Sequence, residues 1–219
     1  MPREEFNREL SELRALLLRM GGTVESQISS ALEALRHRDS DLADRVRQAD
    51  RDINEMFREI RERCFLVISK QQPVARDLRT LMGVLYIAGE LERIGDYAVR
   101  IARFTGTLAN LPSEPLRPEL GVMAQLSVRQ VHDILDSLIE MDEPKAREVA
   151  AKDDEIDRLY HRLSDELLTE MGAGGGADEA LRRVTLMLVA HNLERICDRV
   201  TNVAEDIVFL ESGQVVELG

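Results

Sequence analysis

The 219-residue chain repeats itself. Leu91-Glu92-Arg93-Ile94-Gly95-Asp96 returns 102 positions later as Leu193-Glu194-Arg195-Ile196-Cys197-Asp198. Asp50-Arg51-Asp52-Ile53-Asn54-Glu55-Met56-Phe57 returns at a shift of 103 as Asp153-Asp154-Glu155-Ile156-Asp157-Arg158-Leu159-Tyr160. At that same shift Ala31-Leu32, Leu35 and Asp39 match Ile134-Leu135, Leu138 and Asp142. A duplication on this scale restricts the fold to two copies of one plan, each with three segments in the same order. Residues 1–109 form the first repeat, residues 110–118 a proline-containing linker, residues 119–211 the second repeat and residues 212–219 a tail.

Apolar spacing makes every segment helical. Phe6, Leu10, Leu13, Leu17 and Met20 recur at three- and four-residue steps, and Val46, Ala49, Ile53, Met56, Ile60, Cys64 and Val67 form a nearly heptad seam. Asp39-Ser40-Asp41 reads as an N-cap, and Gln71-Gln72-Pro73 ends the second helix. Gly21-Gly22 predicts a bend or loosening in the first helix. Helices over about 119–141, 143–171 and 178–210 repeat the plan, with Gly172–Ala177 as a flexible loop. The expectation is an all-α protein of six long helices in two pseudo-symmetric three-helix bundles. A helix of about 30 residues spans roughly 45 Å, so the molecule should be elongated.

Polar residues break this pattern in a regular way. Glu92 and Asp96, like Glu194 and Asp198, lie four apart and so stack on one helix face. In the third helix that face is otherwise apolar, carrying Leu81, Leu85, Ala88 and Val99. The second helices bring Asp50 with Asn54, and Asp153 with Asp157, at the same spacing. Where helices two and three of a bundle lie side by side, the pairs converge, and oxygen donors so grouped suit hard or borderline cations. Ion pairing with Arg51, Arg93, Arg158 or Arg195 would explain any one pair more simply. Four pairs at equivalent repeat positions favour metal. The candidate ligands are Asp50, Asn54, Glu92, Asp96, Asp153, Asp157, Glu194 and Asp198, and iron, zinc, manganese and magnesium remain open as the ion.

Other chemistries find little support. A net charge of −12 argues against nucleic acid as principal ligand. No apolar run approaches the roughly 20 residues of a membrane span, and the amino terminus lacks a signal-peptide region. Cys64 and Cys197 make no framework, so a reducing cytoplasm is expected. None of His37, His132, His161 or His191 follows a Glu by three residues, as a di-iron bundle would require. Cys197 matches Gly95 and reads as a small packing residue. Phosphate loops, nucleophile elbows and zinc spacings are absent, and no catalytic residue is expected. A di-metal carboxylate enzyme and a metal-free helical adaptor stand as the alternative classes.

The paired Glu-Arg-Ile-x-Asp motifs, the Asp-x-x-Ile-Asp type segments and Gln71-Gln72-Pro73-Val74-Ala75-Arg76-Asp77-Leu78-Arg79 resemble the PhoU family over about Leu13 to Leu210. The resemblance implies two three-helix bundles whose acidic helix pairs hold metal ions or clusters. It also implies a cytoplasmic negative regulator of the phosphate-starvation response. Its partners would be the ATP-binding subunit of the high-affinity phosphate transporter and a sensor histidine kinase at the inner face of the membrane. A homodimer or higher homo-oligomer is expected as well. Asn54 departs from the family's pattern, where an acidic residue is expected, and should weaken the first site. The Gly172–Ala177 loop and the short tail also look individual to this chain.

Overall fold

The computed structural model describes residues 2–219, which form seven α-helices and no strand. The first bundle comprises α1 (Pro2–His37), α2 (Ser40–Gln71) and α3 (Arg76–Ala109), each packed on the other two. The second comprises α4 (Pro118–Glu140), α5 (Glu143–Ala150), α6 (Asp153–Gly172) and α7 (Ala177–Ser212). The all-α plan of two bundles is as expected. Its longest helices, α1 and α7, have 36 residues each and so run roughly 54 Å.

The duplication reaches the turns. Arg38 and Met141 close α1 and α4 with φ of 54° and 51°, in the left-handed region. Asp39 and Asp142 then cap the following helices, each carboxylate accepting a 2.9 Å hydrogen bond from Leu42 N or Lys145 N. Each cap satisfies a backbone donor that the helix leaves unpaired, an effect worth about 1 kcal/mol.

The bundles share one core along α3 and α7, which run antiparallel. The spine is apolar and almost fully buried, with Ile87, Leu91, Ile94 and Ile101 facing the interior from α3 and Val189, Leu193, Ile196 and Val203 from α7. At one end, a Cβ on Gly83 would meet Leu210 Cδ2 at 2.3 Å, so the missing side chain sets how closely the helices approach. Midway, Glu90 Oε2 accepts from Arg199 Nη1 at 3.3 Å and Asn202 Nδ2 at 3.0 Å. The outer pair α1 and α4 is also antiparallel, with His132 Nδ1 3.2 Å from Glu25 Oε1.

Two local expectations need correction. Gly21-Gly22 does not interrupt α1: a Cβ on Gly21 would sit 2.4 Å from Leu135 Cδ2, so that glycine serves the close approach of α4. Conversely, the helix expected over 143–171 breaks at Ala151-Lys152 into α5 and α6. The carbonyl of Lys152 accepts from Gln130 Nε2 as well as from Glu155 N, each at 3.2 Å, and Lys152 Nζ pairs with Asp133 Oδ2 at 3.0 Å. Asp153, Asp154 and Glu155 then occupy the first turn of α6, where the helix dipole favours negative charge.

Candidate metal centre

All eight sequence-predicted ligands are half-buried, which for Glu92, Asp96, Glu194 and Asp198 is the placement expected of polar groups set into apolar stripes. The structure gathers them into two clusters, one per bundle. They are not alike.

In the second bundle, one oxygen from each of Asp153, Asp157 and Asp198 lies within 4.8 Å of the other two. Glu194 stands outside this tight triad but close enough to feel its charge. Burial and then Asp198 push its carboxyl up to about 7, Arg195 acting in the opposite direction. Asp153 is pushed up to about 6, by burial first and then by Asp157 and Asp198. Burial raises Asp198 as well, although Arg195 and Arg199 oppose the shift. Asp153 Oδ1, Asp157 Oδ1 and Glu194 Oε2 are buried without a hydrogen bond, and His191 Nδ1 is 3.4 Å from the last of these. Orphaned carboxylate oxygens at mutual distances that could surround one ion are a good fit to a hard or borderline divalent cation. Asp153, Asp157 and Asp198 would hold it, with Glu194 adjoining.

The first cluster is chemically quieter. Asn54 Nδ2 donates to Asp50 Oδ2 at 2.9 Å, and Gln27 Nε2 donates to Asp50 Oδ1 at 3.3 Å. Both carboxylate oxygens of Asp50 are therefore occupied by amides. Glu92 and Asp96 are raised, each by burial first and then by neighbouring carboxylates, while Arg93 opposes the shift at Glu92 and Arg100 and Arg103 oppose it at Asp96. No triad as tight as the second cluster's occurs here among the described residues.

Two residues that sequence reasoning missed explain the difference. Gln27 and Gln130 are equivalent at the 103-residue shift, and both amides are buried. Gln27 reaches Asp50 because residue 95 is glycine: a Cβ there would lie 3.0 Å from Gln27 Oε1 and 3.6 Å from Asp50 Oδ1. In the second bundle Cys197 fills the corresponding space, its Sγ 3.5 Å from Ser127 Oγ, and Gln130 goes to the Lys152 carbonyl instead. The repeat alignment, extended to α1 and α4, would have revealed this pair.

The neighbouring arginines divide. Arg195 Nη1 holds Asp198 Oδ2 at 2.6 Å and reaches the Tyr97 hydroxyl on α3. Arg93 turns to Glu90 at 2.9 Å, not to Glu92, and Arg158 donates to the Asp154 carbonyl. His191 sits at the rim, held below its ordinary value by burial and by Arg195, its ring 5.8 Å from that of Tyr160. Cys197 is buried and its thiol is pushed well up by burial, which keeps it an inert packing group.

Comparison with known proteins accords with this architecture. The family model described as PhoU domain matches twice, over residues 17–105 and 120–207. The phosphate-specific transport system accessory protein PhoU of Serratia marcescens is 35% identical over 212 residues, covering 97% of this chain and 86% of that protein. The homolog of that protein from Clostridium acetobutylicum is 36% identical over 219 residues, covering 100% of this chain and 99% of its own. Among solved structures, PhoU from Pseudomonas aeruginosa superposes with a TM-score of 0.91 at 35% identity, covering 95% of this chain and all of that one. The phosphate transport system regulatory protein PhoU from Streptococcus pneumoniae gives a TM-score of 0.90 at 29% identity, over 97% and 100% of the two chains. A match spanning both bundles and both acidic clusters means that this chain belongs to the PhoU family.

Proposed function

We propose that this protein is a regulator of phosphate uptake that serves as an accessory to a high-affinity phosphate transporter. The supporting observation is that relatives bearing that accessory role in their names match nearly the whole chain, acidic clusters included. In this reading it couples the transporter's ATP-binding subunit to a sensor histidine kinase and represses the phosphate-starvation response while phosphate is plentiful. It acts by docking and not by catalysis, as a homodimer or higher homo-oligomer. No helix among the described residues is long and apolar enough to cross a membrane; in this reading the protein works in the cytoplasm and meets the membrane through its partners.

Metal belongs to the same proposal. Asp153, Asp157 and Asp198 hold a divalent cation of the iron, zinc, manganese or magnesium group, and Glu194 borders it. The cation's charge offsets the burial and the mutual repulsion that lift these carboxyls, locking α6 against α7. Deleting the gene should switch on phosphate-starvation genes in phosphate-rich medium, and a wild-type copy should silence them. Normal phosphate-dependent expression in the deletion strain would sink the regulatory reading.

A further inference from the structure

The tail after α7 folds back on the molecule. Gly213 closes the helix with φ of 75°, and its N–H bonds Phe209 O at 2.9 Å. A Cβ there would run into Arg79 Nη1, so glycine is what lets the chain reverse at this point. Ser212 Oγ accepts from Gln214 N at 3.1 Å and holds the reversal. Beyond it exposure alternates: Val215 and Glu217 face water, whereas Val216 and Leu218 are half-buried. Leu218 packs on the shared core, and its N–H donates to Glu205 Oε1 at 2.9 Å. Gly219 lies beside Thr201, where a Cβ would stand 3.4 Å from Thr201 Cγ2. The tail thus retraces α7 from Ser212 to Thr201, a distance of roughly 16 Å.

Asp198 precedes Thr201 by less than one turn. Asp198, Thr201 and Glu205 share a stripe of α7, so the tail covers the turns that adjoin the second cluster. The duplication shows the same turns uncovered. At the 102-residue shift, Asp96, Val99 and Arg103 of α3 correspond to Asp198, Thr201 and Glu205. Val99 and Arg103 line a cavity of about 400 Å³ with Arg47, Gln48 and Asp50 of α2. Solvent therefore reaches the Asp50 side of the first cluster past those side chains. In the second repeat Ala150 and Ala151 stand in place of Arg47 and Gln48, at the 103-residue shift. These methyl groups leave a wider mouth than the first cluster has, and the tail lies across the α7 side of it.

Resting on the metal reading above, we propose that residues 213–219 are a strap across the entry to the second cluster, which sets how fast a cation enters and leaves and supplies no ligand. The side chains that face inward, Val216 and Leu218, are apolar, and the tail's one acidic side chain, Glu217, is exposed. A gate that closes the empty and the loaded protein alike slows uptake and release by one factor and leaves the equilibrium constant alone. The test uses zinc uptake, and zinc release to an excess of a chromophoric chelator, with Glu92→Ala and Asp96→Ala as parent so that only the second cluster is read. Leu218→Asp and a variant lacking residues 214–219 should each speed both rates by about tenfold or more, with Kd held within about threefold. Val215→Asp, on the 89% exposed side chain that faces away, should leave both rates within about twofold. In the metal-free protein the Leu218 amide should exchange its hydrogen at least about tenfold more slowly than in an unstructured peptide. Parental rates in both strap variants overturn the inference and leave the metal reading intact. Faster release with unchanged uptake makes the tail a contributor to affinity, and the gate fails. An unprotected Leu218 amide overturns the strap whatever the metal does. No zinc bound by the parent removes the second-cluster reading, and the inference falls with it.

Discussion

The two acidic clusters share helix order, spacing and burial, yet in the first the Asp50 carboxylate is met by amides, whereas in the second Asp153 Oδ1, Asp157 Oδ1 and Glu194 Oε2 have no hydrogen bond. Asp50 meets two amides, from Asn54 and Gln27; its counterpart Asp153 meets two carboxylates, from Asp157 and Asp198. Two side-chain differences, Asn54 against Asp157 and Gly95 against Cys197, account for the contrast. The lesson is that a repeated scaffold fixes where donors stand, while single residues around it decide whether those donors seek each other or a cation.

The largest expected effect tests that contrast directly. Replacing Glu194 and Asp198 by Ala should abolish most of the metal that purifies with the protein, as read by elemental analysis. Replacing Glu92 and Asp96 should cost far less. Equal losses would mean that the amides of the first cluster do not matter. Next comes conversion of the first cluster into the second. Asn54→Asp adds a carboxylate, and Gly95→Ala presses on the Gln27 amide, so the double variant should bind a divalent ion about tenfold more tightly at the first cluster. Without metal the same change should destabilise the fold by about 1 kcal/mol, since the Asn54–Asp50 hydrogen bond becomes a repulsion.

A smaller effect separates the clusters by pH. Asp153 and Glu194 stand at about 6 and about 7 in the fold, and return to about 4 in the unfolded chain. The folded state therefore holds more protons across that interval, and metal-free stability falls as pH rises through it. The melting temperature should be higher at pH 5 than at pH 7.5, and Glu194→Gln should shrink that difference. Asp206, pushed up to about 7 by burial and then by Glu90, adds a background of the same sign at the α3–α7 spine. Glu92→Gln should matter less than Glu194→Gln; the reverse order would contradict the assigned asymmetry. Smallest of all, Arg195→Gln removes the cation paired with Asp198 and should tighten metal binding by about threefold, measured by competitive chelation.

Much of this was legible beforehand, for identifiable reasons. Helix periodicity, the Asp39 cap and the duplication are properties of neighbours in sequence, and the observed ends of α2 and α3 follow from them. Glu92, Asp96, Glu194 and Asp198 were visible because they interrupt apolar stripes, and Asp50, Asn54, Asp153 and Asp157 because they recur at the same spacing in equivalent places. What escaped depended on distant residues. The break at Ala151-Lys152 contains neither proline nor glycine and falls where Gln130 of α4 donates to the Lys152 carbonyl. Gly21 resembles a helix breaker in isolation, but its purpose is the passage of Leu135. Arg93 lies beside Glu92 in sequence and still pairs with Glu90, because a helix turns i+1 neighbours away from each other.

The antiparallel contact of α3 with α7 has a genetic consequence. Two identical half-chains meeting face to face across such a spine would form a symmetric dimer, in which every substitution appears twice. Here residues 110–117 join the halves covalently, so a codon change reaches one cluster and spares the other. Asn54 and Cys197 are each present once for that reason. One copy can lose donor charge while the other retains it, and selection can act on the two clusters separately within a single folded core.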